Sequence, residues 1–145
     1  MLFRKMKSIV IAGCGPMGAS LANTLYHKGH RVVVVDRDRE NFGYLPEDFG
    51  GYEMEGDPTD PKVLREAGIE DAGIFIAAAK DDNTNLLSSQ IASRIFHVDQ
   101  VYARLDDASR HQLVADLLIK PISLYSLSAD GYMQLAETVS REVAV

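Results

Sequence analysis

The sequence has a single cysteine, Cys14, so it holds no internal disulfide, and with four scattered histidines it offers no metal-ligand spacing. Basic charge is also short. Fifteen Lys and Arg stand against 21 Asp and Glu, a net charge of −6, and no Lys/Arg cluster carries interleaved aromatics, which argues against a nucleic-acid partner. No apolar run approaches the roughly 18 residues of a membrane span. Met1 to Lys7 is mildly basic, but the apolar segment behind it runs into glycines and a polar helix, unlike a secretory signal. A cytoplasmic chain without direct membrane insertion is expected. Neither G-x-S-x-G nor H-E-x-x-H occurs. What is present, 145 residues of which 46% are hydrophobic, suffices for one domain with a substantial core.

The densest signal lies between Ser8 and Asp36. An apolar run, Ile9-Val10-Ile11-Ala12, leads into Gly13-Cys14-Gly15-Pro16-Met17-Gly18, a helical segment, and Val32-Val33-Val34-Val35-Asp36. The order is strand, glycine-rich turn, helix, strand. In such a turn Gly13 permits the tight bend, Gly15 lets backbone approach a pyrophosphate, and Gly18 lets helix and strand pack closely, with phosphates at the helix N-terminus. Asp36 follows Gly18 by 18 residues, close to the spacing of about 20 for an acid that binds a ribose. A nucleotide site is expected here, the alternative being a ligand-free turn. Pro16 suits a first helical turn but has no N–H for an anion, so one phosphate donor is missing. Cys14 reads as a small filler. Arg37 either covers an adenine face or stands in solvent, and Asp38, Arg39 and Glu40 read as a solvated turn.

Periodicity organises the remainder. The first helix is expected from about Pro16 to Lys28, with Met17, Leu21 and Leu25 facing the sheet and Gly29 ending it. Residues 41–51, with three glycines and a proline, predict a short or irregular crossover. Tyr52 to Glu55 reads as an outer strand, Thr59 or Asp60 as the cap of a helix over 62–67 with Pro61 at its first position, and 74–79 as a buried strand. Asp81 or Asp82 caps a long helix over 83–96 with the stripe Leu87, Ile91 and Ile95. A strand over 101–105, a helix over 109–118, a strand over 119–124 and a helix over 130–143 complete the pattern.

Six alternations of strand and helix predict an α/β fold in a single domain, a doubly wound parallel six-stranded sheet of order 3-2-1-4-5-6, the Rossmann arrangement. A ligand belongs at the switch point between strands 1 and 4. The same edge receives Lys80, after strand 4, and Arg104, ending strand 5; each is either a site cation or an ordinary surface cation. Tyr132, Leu135, Val139 and Val143 form a stripe on the last helix, packed on the sixth strand or buried by a partner subunit.

Several further stretches are specific: Val35-Asp36, Gly56-Asp57-Pro58-Thr59-Asp60 followed by Val63 to Ile69, Asp81-Asp82-Asn83-Thr84-Asn85-Leu86-Leu87, and Val101-Tyr102-Ala103-Arg104. Through these and the glycine turn nearly the whole chain resembles the N-terminal nucleotide-binding (TrkA-N, RCK or KTN) domain of TrkA/KtrA-type potassium transport regulators. The resemblance implies binding of NAD(H), AMP, ADP or ATP, with contacts from Gly13, Cys14, Gly15, Pro16, Met17, Gly18, Asp36, Asp57, Pro58, Ala79, Lys80 and Arg104, to which Arg37 beside Asp36 is added as a candidate. It also implies a regulatory rather than catalytic role, in a homodimer or higher ring on the cytoplasmic face of a membrane-embedded potassium channel or transporter subunit. The helices after strands 4 and 5 and the last helix would meet their counterparts across the dimer.

Two departures from the family pattern stand out. Pro16 occupies the position where many members carry a basic residue toward the terminal phosphates, which weakens the case for a triphosphate; Lys80, where small polar residues are usual, is the candidate replacement cation. The common C-terminal regulatory domain is missing, so the chain is expected to be a short subunit or part of a longer one. One rival is an NAD-dependent oxidoreductase of the hydroxyacid dehydrogenase type, whose loop Gly13-x-Gly-x-Met17-Gly18 resembles but whose second domain has no counterpart here. The other is a nucleotide-free assembly subunit.

Overall fold

The computed structural model describes residues 8–123 and 129–143. Alternate residues of a strand point to opposite faces, and here both faces are covered. Ile9, Ile11, Val32, Val34, Ile74 and Ile76 enter one core, while Val10, Val33, Val35, Phe75 and Ala77 enter the other. This double covering is why the valine run shows no polar alternation. The strands are β1 (Ser8–Ala12), β2 (Arg31–Asp36), β3 (Tyr52–Glu55), β4 (Ala72–Ala77), β5 (Gln100–Arg104) and β6 (Ile119–Ile122). All five pairings are parallel, in the order β3-β2-β1-β4-β5-β6. The single doubly wound sheet expected from the sequence is the one observed.

Helix α1 (Pro16–His27) starts on its proline and buries Met17, Leu21 and Leu25 on the first face. The crossover from β2 to β3 is a 3-10 turn over Arg39–Tyr44, capped by Asp38, and it contributes Phe42, Leu45 and Phe49 to the edge of that core. Helix α2 (Pro61–Glu66) is capped by Asp60, whose carboxylate accepts the Lys62 N–H at 2.9 Å, and lies with α3 (Asp82–Gln90) on the second face. Asp81 caps α3 through the N–H groups of Asn83 and Thr84.

Two helical expectations are corrected. The long helix over 83–96 is α-helical only to Gln90 and continues as a π-helical turn over Ile91–Ile95. Its expected stripe is split, because Ile91 is buried while Leu87 and Ile95 are 50% and 55% exposed. The face toward the sheet is small and polar instead, with Asn85, Ser88, Ser89 and Ala92 buried, since a close approach of helix to strand leaves no room for leucine there. The helix over 109–118 is broken into a 3-10 turn (Ala108–Arg110), a single α-turn α4 (His111–Val114) and another 3-10 turn (Ala115–Leu117).

For the last helix, α5 (Ala129–Val143), two places were open, and it packs on α1 and against β4. Ala136 and Val139 are fully buried in the first core and Leu135 packs at its edge. This part of the stripe is therefore covered within the chain. The physical reason is topological: α2, α3 and α4 all pack on the second face, so beside α1 the first face over β4 is left for α5. The side chains of Tyr132 and Val143 lie outside the described residues.

Candidate nucleotide-binding site

Parallel register brings the C-terminal ends of the strands to one edge: Ala12 pairs with Val35 and Ala77, and Ala77 with Ala103. Over this edge, at the β1/β4 switch point, lies a cavity of about 450 Å³. It is lined by Gly13 and Gly15 below, Asp36, Arg37, Asp38, Asn41 and Pro58 on one side, and Ala79, Lys80, Asp81 and Thr84 on the other.

The glycine turn is shaped for close approach. Gly13 has φ +111°, and a Cβ there would stand 2.5 Å from the Ala79 nitrogen. A Cβ at Gly15 would meet nothing within 4 Å, so its open side is free space facing the cavity. No side chain caps α1 at Gly15, and Pro16 stands exposed at its first position. The helix N-terminus thus presents its partial positive charge and the unsatisfied amides of its first turn. This geometry fits a phosphate group. Cys14, Met17 and Gly18 are buried beneath the turn and do not line the cavity. Burial first, then the Asp36 carboxylate, pushes the Cys14 thiol up to about 12, so it stays protonated.

Asp36 is only 7% exposed and already bonded. Its Oδ2 accepts the Cys14 N–H at 2.8 Å, and its Oδ1 accepts the Asp38 N–H at 2.8 Å and the Asn41 Nδ2 at 3.1 Å. A carboxylate has about four acceptor positions, so three internal bonds leave one, on Oδ2. That one position is what Asp36 has left to offer a ligand hydroxyl. The Cys14 amide is likewise spent on Asp36, a second donor lost to a phosphate after that of Pro16.

At the outer end, the Arg37 guanidinium lies 3.6 Å from the Asp57 carboxylate beside buried Pro58, both side chains partly in solvent. The Thr59 hydroxyl and backbone N–H, with Arg37, hold the Asp57 carboxyl below its ordinary value. Across the cavity Lys80 is exposed at the rim, next to Asp81, whose carboxyl is kept low mainly by the Thr84 hydroxyl. Three carboxylates and two cations therefore line the walls, a balance that disfavours ligands of high negative charge.

Arg104 is placed differently from the expectation. It is 8% exposed, outside the cavity lining, and its guanidinium makes three hydrogen bonds to the Asp106 carboxylate, the shortest 2.8 Å. A buried cation needs a partner, and the carboxylate two residues along supplies it. Asp38, Asn41, Asp81 and Thr84 line the cavity without having been assigned to it from sequence. The turn after β2 curls back so that residues two and five beyond Asp36 surround its carboxylate, a spacing that offered the missing clue.

These features define a Rossmann-type α/β domain built on the nucleotide-binding plan. The TrkA-N domain model matches residues 9–122, and the chain belongs to that family. It is 41% identical over 126 residues to the Trk system potassium uptake protein TrkA of Streptomyces coelicolor, an alignment covering 87% of this chain and 56% of that protein. The chain thus spans about half the length of the curated relatives it matches. Among solved structures it is similar to the TrkA-N domain of the inner membrane protein ybaL from Escherichia coli, with a TM-score of 0.71 at 15% identity, covering 96% of this chain and 98% of that one. The GsuK channel bound to NAD superposes with a TM-score of 0.68 at 22% identity, covering 86% of this chain and 22% of the channel. These two likenesses concern the fold.

Proposed function

We propose that this chain is the nucleotide-sensing regulatory module of a potassium uptake system. It binds NAD(H) or an adenine nucleotide and passes ligand state to a membrane-embedded channel or transporter subunit as movement between subunits. The observation that carries this reading is the uncapped N-terminus of α1 opening, past Gly13 and Gly15, into a 450 Å³ cavity with Asp36 at one wall and Lys80 at the other. In this reading the ribose takes the remaining acceptor position of Asp36, the adenine lies between Arg37 and Pro58, and the phosphates run over the glycine turn toward Lys80. The charge balance favours NAD(H), AMP or ADP over ATP. The kinship with potassium uptake proteins supports the choice of system, and a place at the cytoplasmic membrane face follows from the partner, since no described helix is long and apolar enough to cross a membrane.

Assembly has its own support. Leu87, Ile95, Leu113 and Leu118 are 50–86% exposed on the helical layer formed after β4 and β5. Its two segments are joined by an Arg110–Asn83 bond at one end and a 3.2 Å bond from the Ser93 hydroxyl to the Leu117 carbonyl at the other. Four large apolar side chains on one layer form a surface that a second copy buries. Native mass spectrometry of the purified protein tests both parts at once. A nucleotide-bearing dimer or larger ring is expected; an assembled species that takes up none of NADH, AMP, ADP or ATP refutes the sensing role in favour of a nucleotide-free assembly subunit.

A further inference from the structure

We propose that Asn85 is the positioning residue for the phosphate side of this site, and that it ties the site to the end of β5; the proposal rests on the nucleotide-binding reading above. Asn85 is fully buried at the start of α3, yet both ends of its amide are hydrogen-bonded. Its Oδ1 accepts the Ala79 N–H at 2.9 Å, while its Nδ2 donates to the Ala79 carbonyl at 2.8 Å and the Arg104 carbonyl at 2.9 Å. One side chain therefore holds both backbone polar groups of Ala79. A two-point clamp fixes rotation as well as distance, and an asparagine amide has the donor and acceptor to make it.

Ala79 in turn shapes the glycine turn. Its nitrogen and Cα lie where a Gly13 Cβ would come within 2.5 and 2.7 Å, so the two backbones are in contact. Gly18 packs on the Gly13 carbonyl so closely that a Cβ on Gly18 would overlap it. Contact thus passes from Asn85 through Ala79 and Gly13 to the start of α1, the end that faces the phosphates. A displacement of Ala79 must move the turn or open a void, and close-packed backbone resists both. The third bond of Asn85 carries the same constraint to β5. There Asp82 also accepts the N–H groups of Asp106 and Asp107, each at 3.0 Å, so the rims above β4 and β5 are held as one unit.

The test compares wild type with Asn85→Ala and Asn85→Ser, each first shown to unfold cooperatively; Asn85→Asp, which keeps size and acceptor but loses both donors, replaces any variant that does not fold. Calorimetry with adenosine, ADP and NADH is paired with hydrogen exchange of the Gly13 and Cys14 amides, both hydrogen-bonded in the native turn. Affinity for ADP and NADH is expected to fall about tenfold or more, against less than about threefold for adenosine, which reaches no phosphate position. Exchange in the turn should quicken with or without nucleotide. A merely structural asparagine would lower the melting temperature and weaken all three ligands alike, and that result, or unchanged exchange in the turn, overturns the proposal. A wild type that binds none of the three removes the nucleotide reading, and exchange in the free protein then decides the positioning role by itself.

Discussion

Replacing Asp36 by asparagine changes one oxygen for an amine group and almost nothing in shape, which makes it the sharpest probe of the ribose wall. The amide oxygen can still face the Asp38 N–H and the Asn41 amine, the two donors now on Oδ1. The new amine then points at the Cys14 N–H, which sits 2.8 Å from Oδ2 in the native turn, so donor meets donor. Two losses follow. A buried N–H without an acceptor lowers stability by about 1–3 kcal/mol. The ribose hydroxyl loses a charged acceptor worth about 1.5–3 kcal/mol, or roughly 10- to 150-fold in Kd for ADP and NADH alike. NADP behaves oppositely, because its 2′-phosphate no longer meets a carboxylate, and the preference for NADH over NADP should narrow. Calorimetry on a variant that still melts cooperatively measures both effects. If the folded variant binds ADP and NADH as tightly as wild type, Asp36 does not touch the ligand and serves only to hold Cys14, Asp38 and Asn41.

Other consequences are open to equally direct measurement. Lys80→Ala should weaken ATP more than ADP and ADP more than AMP, by about threefold per phosphate at low salt and less at high salt; an equal loss for adenosine and ATP would place Lys80 away from the phosphates. Cys14, with its thiol pushed up to about 12, should resist alkylation at pH 8 until the chain unfolds, and rapid labelling of the native protein would contradict its burial. The carboxyls of Asp57, Asp81 and Asp107 are held low first of all by the hydroxyls of Thr59, Thr84 and Ser109. Because a lowered folded pKa stabilises above the unfolded value, this contribution should be complete above about pH 4 and fade as pH falls through the folded values. Urea titrations of Thr84→Ala between pH 7 and pH 2.5 should then show a shallower acid loss than wild type, and parallel curves would discount the hydroxyl. Leu87→Glu with Leu113→Glu should shift a light-scattering dimer toward monomer, raising its dissociation constant at least about tenfold; an unchanged mass would move the contact to another face.

The order of strands and helices, the glycine turn, the position of Asp36 and the caps to within one residue (Thr59 or Asp60, Asp81 or Asp82) were all legible in the chain, because each is written in residues a few positions apart. Apolar runs without alternation imply a sheet covered twice, and a right-handed parallel crossover then leaves little choice of topology. What tertiary structure alone decided was which groups are already spent. Whether Asp36 keeps a free acceptor depends on Cys14, 22 residues away, and on a turn that curls back over it. Whether Arg104 reaches the ligand depends on a counter-ion and a depth of burial that spacing does not reveal. Leu87 and Ile95 looked like a core stripe, yet the close approach of α3 to the sheet selected the serines and Asn85 for the inside. Helix α5 found its place beside α1 because the three helices before it all pack on the other face of the sheet. Local pattern is a property of neighbours in sequence; hydrogen-bond saturation and free space belong to neighbours in three dimensions, and they appear only once the chain has closed on itself.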